Sequence, residues 1–577
     1  MQLYSPFFIW LVAAWSGQAL SAAPSSWPDQ FHGPSGPWPT NGPYAGQHCN
    51  PNNAAVSVQP PNGQWLGWGA DTSNNRWASA GASTDSSNAA SLVETCSKQY
   101  LHGVSATAVV QGGVAYYPTW SGLFVALNYK TCTTLWEFNV TSLVLNFGPV
   151  ISPLAFAGSR TSAALDGSVL YFGTQAHGLL VAVDRNSGSL IDYIQINQHP
   201  YSVITQSPTV WQGTVFVGSS SVEESAAAFV PGYKCCSFVA NFNAITLNQS
   251  TRKLGIKWSQ AMLPANSGFT GAAVWGGQPS IDPARQQVFI GTGNVYTVPA
   301  DVQACQDQTQ NITFIQQGLG RDPCVPRDAY QESILAFDLN TGLVNWVNQL
   351  GALDAWTVAC IPQVNINPGS CPPNPGPDAD FGMAPTFIPG SASTPYGKDV
   401  VVFGQKNGNL YAISAQAGTV FWAVPTSPSG YEGGLIWGVA VDASAVYFTA
   451  ANSLGIPWKP VGSANTISNS AFGAVSLVNG KVLWETQSPM NDSTSFATPS
   501  VVNDVVLTGR TQLGNLVTRA YGPGGLVALN KITGAVLRDY QLNTSFYGNI
   551  AIVDNYVLFG TGYNNATGYG GFHVWQS

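Results

Sequence analysis

The sequence is poor in charged residues, and this scarcity excludes several classes of protein. Only 8% of the 577 residues are Asp, Glu, Lys or Arg, whereas about a quarter is usual in globular domains. The 28 acidic residues outnumber the 20 Lys and Arg, for a formal net charge of −8. An acidic balance disfavours nucleic acid and anionic membranes as partners.

Long apolar runs are also scarce. Residues 5–20 form a short apolar run followed by small residues, which is typical of a secretory signal cut near Ala22 or Ala23, although the usual basic residues before it are missing. The run is too short for a comfortable membrane span, and no later segment replaces it. We therefore expect a signal peptide at residues 1–22, a secreted protein and no membrane span. Sequons fit a secreted glycoprotein and lie at Asn139, Asn248, Asn311, Asn491, Asn543 and Asn565.

Motifs of several catalytic classes are missing. The sequence has no His-Glu-x-x-His, no phosphate-binding Walker loop and no Gly-x-Ser-x-Gly nucleophile elbow. Its 6 His residues are scattered and do not form a zinc-binding cluster. The haem-attachment motif Cys-x-x-Cys-His is absent too.

Glycine and aromatic residues are abundant instead, with 61 Gly, 19 Trp and 22 Tyr, which favours short strands and turns over long helices. The segment from Ser333 to Trp346 predicts a β-hairpin in which Gly342 supplies the positive φ of the turn. Its spacing is an Ala, a polar residue two on, a Gly six on and an aromatic residue ten on. Full or weaker copies indicate a repeat architecture and begin at Ala126, Ala182, Ala244, Ala412, Ala474 and Ala528.

Each unit carries about four strands, which predicts an all-β fold, an eight-bladed β-propeller, with seven blades as the alternative. We place blades near residues 102–140, 159–198, 204–263, 270–351, 381–425, 435–488 and 496–543. Residues 548–575 are too few for a full blade, and we expect Trp65–Trp77 to complete it, so that the two ends of the chain close the ring. Residues 23–64 should form an irregular arm before a single propeller domain at 65–577.

The 9 cysteines should mostly pair in an oxidising compartment, with one left over. Two local pairs are expected inside long insertions, Cys305 with Cys324 and Cys360 with Cys371. Among the three distant cysteines, Cys49, Cys96 and Cys132, we favour the pair Cys49–Cys96. The adjacent Cys235 and Cys236 would form one vicinal disulfide, two ordinary disulfides or a reactive free thiol.

The hairpin repeat resembles the tryptophan-docking repeat of the pyrroloquinoline quinone (PQQ) dehydrogenases, which are eight-bladed propellers that oxidise alcohols. Related propellers without cofactor carry the same repeat, so the repeat alone implies the fold and not the activity. Five local segments extend the resemblance. The pattern is most similar to that of the polyvinyl-alcohol dehydrogenases, over roughly residues 65–575.

Two of these segments imply a metal and cofactor site. The segment from Gly218 to Glu223 resembles the family's Gly-x-Ser-x-x-Glu, in which the Glu binds the metal and the Ser, here Ser220, touches the cofactor. Trp275, followed by Gly-Thr-Gly-Asn294, resembles the stretch in which the Trp is the floor under the quinone and the Asn gives an amide oxygen to the metal. A hard cation such as Ca²⁺ prefers these oxygens. Singly, each residue would more commonly belong to a polar loop or a core.

Two segments imply the catalytic groups. The stretch from Gly376 to Gly382 resembles the segment that holds the general base and a further metal ligand, which makes Asp380 the candidate and Asp378 the alternate. Here the family's Trp before the Asp is replaced by Ala379. Lys406, in Gly-Gln-Lys-Asn-Gly, occupies the position from which a basic residue polarises the quinone carbonyl; the alternative is a strand-end Lys that reaches to water.

The remaining candidates lie at the rim of the implied cofactor. Thr205, in Thr-Gln-Ser-Pro, resembles the segment that holds its polar edge. Arg160 would pair with a PQQ carboxylate, or else serve as a structural blade residue, and Trp437 would be a second wall or blade core. Methanol-oxidising relatives carry a vicinal disulfide above the quinone, and the placement of Cys235 and Cys236 is more similar to that in polyvinyl-alcohol dehydrogenases.

The resemblance therefore implies a secreted oxidoreductase that oxidises an alcohol group on a small molecule or polymer with PQQ and Ca²⁺ or another divalent cation. Because the family's cytochrome domain needs the missing Cys-x-x-Cys-His, electrons would leave to a separate acceptor. A cofactor-free propeller that serves as a binding or scaffold protein is the alternative. An oxidoreductase that tailors a small secreted metabolite in the same pocket is a third.

Overall fold

The computed structural model describes residues 59–150, 155–309, 321–362, 366–515, 520–563 and 568–577, all of which belong to one compact unit, Gln47–Ser577. The predicted signal peptide, nearly all of the predicted arm, Cys49 and the sequons at Asn311 and Asn565 lie outside these residues.

Eight antiparallel sheets, each built around four strands, form the blades of the propeller. The prediction of an eight-bladed β-propeller is confirmed. The first strand of each blade is the innermost, the middle strands are buried on both faces, as in Val169–Gly173, and the fourth faces solvent on alternate residues, as in Thr133–Asn139. This gradient explains why the middle strands read as continuous apolar runs.

The strands of the first four blades are listed from the centre outward. The first blade has Val109–Gln111, Val114–Pro118, Leu123–Asn128 and Thr133–Asn139; the second has Ala164–Asp166, Val169–Gly173, Leu179–Asp184 and Leu190–Gln195. The third has Thr209–Trp211, Thr214–Gly218, Asn241–Asn248 and Lys253–Ala261; the fourth has Ser280–Asp282, Gln287–Gly291, Ser333–Asp338 and Val344–Gln349.

The remaining blades follow the same order. The fifth has Thr386–Ile388, Val400–Gly404, Asn409–Ser414 and Val420–Pro425; the sixth has Ala440–Val441, Ala445–Ala450, Ala471–Ser476 and Val482–Gln487. The seventh has Ser500–Val502, Val505–Asn515, Ala520–Asn530 and Val536–Gln541, with Ser493–Thr494 added beside its second strand. The eighth has Ile550–Val553, Tyr556–Gly560, Tyr569–Gln576 and, from the start of the chain, Val93–Leu101.

Short elements lie between the blades. Two small ladders pair Ser202–Val203 with Ser220–Ser221 and Thr270–Gly271 with Val295–Thr297. The helices are Val140–Phe147, Glu223–Phe229 and Ala300–Thr309, with 3-10 turns at Val358–Cys360, Pro368–Ser370 and Pro395–Gly397. Among the helices of the described ranges, none has both the length and the apolar character that a membrane crossing requires.

The repeat works by docking each outer strand onto the next blade. Trp258 lies opposite Ala244, donates from its indole nitrogen to the carbonyl of Leu339 at 3.1 Å, and rests on Gly342 of the next blade. Gly342 has φ +73°, and a Cβ there would lie 2.6 Å from the indole. Glycine is therefore required twice, for the turn and for the close approach of the ring.

The closure of the ring differs from the sequence-based expectation. Val93–Leu101 pairs with Tyr569–Gln576 and completes the eighth blade, so the expectation that Trp65–Trp77 would do so is wrong. The expected pair Cys49–Cys96 is wrong as well, because Cys96 is bonded to Cys132 with the two Cα atoms 5.4 Å apart. Cys96 lies on the closing strand and Cys132 in a turn of the first blade, so this disulfide links the eighth blade to the first.

Removal of this closing disulfide should weaken the whole ring. We expect Cys96→Ser with Cys132→Ser to lower the free energy of unfolding by about 3–4 kcal/mol, because the bond closes a loop with a sequence separation of 36 residues. Denaturant unfolding without reductant measures the loss. Removal of the Cys305–Cys324 bond, which has a separation of 19, is the control and should cost less; the reverse order would contradict the closing role.

Glu485 gives the fold a specific pH dependence. Burial raises its pKa to about 7, and its carboxylate accepts the backbone N–H of Val461. Because the folded pKa exceeds the unfolded value of about 4.3, this group favours folding fully below pH 4 and loses that contribution as pH rises through 7. We expect Glu485→Gln to stabilise the protein by about 1–2 kcal/mol at pH 8.5 relative to its effect at pH 4, measured by thermal unfolding at both values. Equal effects at the two values would exclude this account.

Candidate functional site

Trp275 lies just before the innermost strand of the fourth blade and is packed between two neighbouring segments. A Cβ at Gly382 would lie 2.4 Å from its ring, so only glycine allows this approach. Thr205 donates its hydroxyl to the backbone carbonyl of Trp275 at 3.0 Å. The ring of Trp437 stands perpendicular to that of Trp275, with the centroids 5.5 Å apart. The structure therefore brings three of the sequence-predicted residues together.

Asp380 is the centre of the site. Its carboxylate accepts hydrogen bonds from the Trp275 indole nitrogen at 3.0 Å and from the backbone N–H of Asn294 at 2.6 Å. The Lys406 ammonium lies 3.0 Å from the same carboxylate. A Cβ at Gly293 would lie 2.6 Å from Asp380 Oδ1, which explains the second glycine of Gly-Thr-Gly-Asn.

Lys406 is the cation of the site. Its Nζ lies 3.0 Å from both carboxylate oxygens of Asp378 and 5.2 Å from the centroid of the Trp275 ring. Burial disfavours its charge, but Asp378, Asp380 and Glu224 outweigh burial and raise the pKa of Lys406 above its ordinary value. Burial likewise raises the pKa of Asp378. Lys406 is therefore held as an ammonium among buried carboxyl groups.

The Asn294 carboxamide is fixed by the backbone. Its Nδ2 donates to the carbonyls of Val295 at 3.0 Å and Trp356 at 2.8 Å. Both amide protons are used in this way, so the orientation of Oδ1 is determined. An oriented amide oxygen next to Asp380 is a suitable ligand for a hard cation.

Glu223 is hydrogen-bonded to residues outside this cluster. It is fully buried, and its oxygens accept hydrogen bonds from the Tyr233 hydroxyl at 2.6 Å and from the backbone N–H groups of Ser237 and Phe238, each at 2.8 Å. Its protein partners therefore occupy the carboxylate that the resemblance assigned to the metal.

Glu224, which the sequence reasoning passed over, carries charge toward the cluster instead. It raises the pKa of both Asp378 and Lys406. The two acids begin the helix Glu223–Phe229, and consecutive helical residues point about 100° apart. The two side chains therefore leave the helix in different directions, and the helical period was the signal that could have separated their roles.

Two further acids were missed because they lie far away in sequence and match no motif. Asp354 accepts the backbone N–H groups of Asp378 at 3.3 Å and Ala379 at 2.7 Å and so holds the loop before Asp380. Burial raises the pKa of Glu332 well above its ordinary value, and the neighbouring Asp354 raises it further. In the described part of the chain, no group of three or more His, Cys, Asp or Glu is arranged to hold a metal ion by itself.

A cavity lies beside this cluster, and Trp275, Asn294, Asp380 and Lys406 are not among its lining residues. Arg160 in its wall donates to the Tyr563 hydroxyl at 3.1 Å and lies 5.0 Å over the Trp437 ring. Thr205 and Trp437 also line it, whereas Ser220, buried in the short ladder with Val203, is not among its lining residues. The full lining is Trp68, Ser105, Ala106, Arg160, Ser162, Thr205, Ser207, Gly277, Trp437, Tyr547, Asn549 and Tyr563.

Three expected disulfides are present. Cys235 is bonded to Cys236, Cys305 to Cys324, and Cys360 to Cys371. Cys235 packs with Cys371 against the alanines of the helix Glu223–Phe229, in one apolar cluster. The segment with Cys235 thus packs against the segment closed by Cys360–Cys371, beside the helix that carries Glu224.

The chain is similar to a family model and to several curated proteins. The family model PQQ_2, described as outer membrane protein assembly factor BamB, matches residues 56–230 and 330–567. A polyvinylalcohol dehydrogenase of Sphingopyxis sp. (strain 113P3) is 28% identical over 398 residues, which are 67% of this chain and 54% of that protein. A second, from Pseudomonas sp., is 25% identical over 422 residues, which are 71% of this chain and 58% of that protein.

The solved structures support the fold. Quinohemoprotein alcohol dehydrogenase from Comamonas testosteroni superposes with a TM-score of 0.62 and 17% identity, over 89% of this chain and 80% of that one. This likeness supports the propeller and nothing finer. The chain spans about half the length of the curated relatives it matches.

Proposed function

Because the chain belongs to the PQQ_2 family, the family of outer membrane protein assembly factor BamB, and carries a complete polar site, we propose that it is an enzyme that oxidises an alcohol with PQQ and a divalent cation. The family description names an assembly factor, so the activity rests on the site. The observation that carries the proposal is the convergence of the Trp275 indole, the Asn294 N–H and the Lys406 ammonium on Asp380.

The chemistry of the cavity lining suits an anion such as PQQ. It includes the Trp437 ring and the Arg160 cation, and among the described residues no Asp or Glu lines it. The hydroxyl of Ser162, buried in its wall, has no hydrogen-bond partner among the described residues. A buried polar group without a partner is costly, and a carboxylate of the ligand would satisfy it.

The cation would be held by Asn294 Oδ1 and Asp380, with Glu224 in place of the predicted Glu223. Amide and carboxylate oxygens are the donors that Ca²⁺ prefers. We therefore propose Ca²⁺ as the cation of this site.

The chain's own groups would carry the proton chemistry. Asp380 would accept the hydroxyl proton of the alcohol, since its carboxylate is already oriented by three donors. The Lys406 ammonium would stabilise negative charge that develops on a nearby oxygen. When bound, PQQ supplies the electron acceptor for the hydride of the alcohol carbon. Asp378 and Asp354 would hold Lys406 and the loop in place.

The substrate and setting are part of the proposal. The two relatives named above are polyvinylalcohol dehydrogenases, which supports an alcohol group on a polymer or a small molecule as the substrate. A separate protein or small molecule would take the electrons. The signal-like residues 1–22 and the disulfides support a secreted location.

Uptake of cofactor tests the proposal directly. Purified protein is incubated with PQQ and Ca²⁺, and the absorbance of the bound quinone and the alcohol-dependent reduction of a dye are measured. We expect stoichiometric uptake and turnover with a panel of small alcohols and polyvinyl alcohol. No uptake at micromolar PQQ would reject the enzyme and favour the scaffold, the alternative that the family description supports. Turnover confined to one small metabolite would assign a tailoring role.

Paired substitutions in the helix Glu223–Phe229 separate metal binding from folding. We expect Glu224→Gln to weaken Ca²⁺ retention by about tenfold or more, because it removes a carboxylate charge. Glu223→Gln should leave Ca²⁺ affinity within about twofold and lower the free energy of unfolding by about 1–3 kcal/mol, because its oxygens accept buried hydrogen bonds. Calorimetric Ca²⁺ titration and denaturant unfolding give both quantities. The opposite pattern would return the metal role to Glu223.

A further inference from the structure

The segment from Trp65 to Ala78 runs through the centre of the ring instead of along its rim. The innermost strand of a blade has an inner edge with unpaired backbone groups, and such edges need a partner. This segment supplies it in five blades, through Trp65 with Val110, Thr72 with Ile281, Ser73 with Phe387, Asn75 with Val441, and Arg76 and Ala78 with Val501. The segment therefore lies along the inner edges of these five blades.

Arg76 locks this segment in place. Its guanidinium donates to the carbonyls of Pro499 at 2.9 Å and Ile550 at 2.7 Å and to the Ser500 hydroxyl at 2.9 Å. It also lies 5.4 Å from the Trp65 ring and 4.8 Å from the Trp68 ring. Arg76 is fully buried, and its partners are carbonyls, hydroxyls and rings, with no ion pair to a carboxylate among the described residues.

The charge of Arg76 is therefore not neutralised locally. Burial lowers its pKa to about 9, which still leaves the side chain charged at neutral pH. Trp68, against which the guanidinium packs, is also a wall of the cavity, whose lining among the described residues includes Arg160 and no acidic residue. Two positive charges thus lie at the cavity, Arg160 in its wall and Arg76 behind Trp68.

We infer that Arg76 is a positioning residue for ligand binding. It fixes Trp68 in the wall of the cavity, and it adds a buried positive charge that selects a polyanion over a neutral ligand of the same shape. The inference rests on the proposed function, because PQQ, with three carboxylates, is the polyanion considered. It predicts a difference in selectivity that loss of packing alone does not produce.

The test compares PQQ with its neutral trimethyl ester at a constant Ca²⁺ concentration. Dissociation constants for both are measured by quenching of tryptophan fluorescence in the wild type, Arg76→Met and Arg76→Gln. We expect the neutral variants to bind PQQ about tenfold more weakly, whereas binding of the ester changes less than about twofold. Arg510→Met is the control, since Arg510 is equally buried but pairs with Asp539 and does not line the cavity; it should leave the ratio unchanged.

Each outcome decides between the possibilities. Unchanged PQQ affinity in the neutral variants, or equal loss of PQQ and ester, would overturn the inference. If neither neutral variant folds, Arg76→Lys must retain the wild-type preference for PQQ over the ester, and its loss in folded protein would overturn the inference as well. A wild type that binds neither ligand rejects the proposed function, a result distinct from a wild type that binds PQQ without help from Arg76.

Discussion

Asp380→Asn should lower kcat of the PQQ- and Ca²⁺-loaded protein by about a thousandfold. The amide keeps an oxygen for the Asn294 N–H but cannot accept a proton from the alcohol. Asp380 is chosen because the Trp275 indole, the Asn294 backbone and Lys406 all orient it. Initial rates of dye reduction, normalised to bound PQQ, measure the effect apart from any loss of cofactor.

Asp378→Asn is the matched control for this experiment. Asp378 contacts the same ammonium through both of its oxygens, but no indole or backbone donor of the site orients it. We expect less than about a tenfold decrease in kcat. If Asp378→Asn proves the more damaging of the two, the base is Asp378, the alternate that the sequence already offered.

Lys406→Met should be the most destabilising substitution in the site. Lys406 is 7% exposed, and its removal leaves the buried acids Asp378 and Asp380 without their cation. Breaking a buried ion pair from one side typically costs about 3–5 kcal/mol of unfolding free energy. Turnover should be lost too, because the same ammonium is proposed to stabilise the negative charge that develops on a nearby oxygen. Urea unfolding and dye reduction measure the two effects on the same preparation.

Lys531→Met is the control for this loss. Lys531 lies 3.0 Å from Asp442, the same distance as in the site, but its side chain is 21% exposed. We expect a smaller cost, of about 1 kcal/mol, since solvent reaches the ammonium and Asp442 keeps hydrogen bonds from Ser444, Ala445 and Tyr447. The double variant Lys406→Met with Asp378→Asn should recover part of the stability, because the uncompensated charge is removed. No recovery would mean that packing, rather than charge, explains the effect of Lys406.

Local regularities made much of the fold predictable. The Ala, Gly and aromatic positions of each hairpin lie within about ten residues, and each serves one repeated contact: Trp258 on Gly342 recurs as Trp346 on Gly418. The grouping of Trp275, Asn294, Asp380 and Lys406 was also predictable, because each stands at a fixed place in its blade and the ring brings those places to one axis.

Closure of the ring was not predictable in this way. Val93–Leu101 is an outer strand with mostly exposed or half-buried residues, so its sequence lacks the apolar pattern that marks a strand. The segment Trp65–Trp77 was predicted to complete the last blade by pairing the two ends of the chain, yet it pairs with the inner edges of five blades. Cys96 lies on this closing strand, so its pairing with Cys132 could not be predicted without knowing how the ring closes.

Composition and repeat spacing determined that this chain forms a ring of sheets, because hairpin formation and docking use neighbours in sequence. The blades that carry its polar site were indicated by the resemblance of local segments to the PQQ dehydrogenases. Tertiary structure alone decided that Tyr233, Ser237 and Phe238 hold the Glu223 carboxylate, that Asp354 holds the loop before Asp380, and that Arg76 lies behind the cavity. These contacts join residues that are not neighbours in the chain, and their energies depend on burial and on the direction of side chains, which no local pattern records.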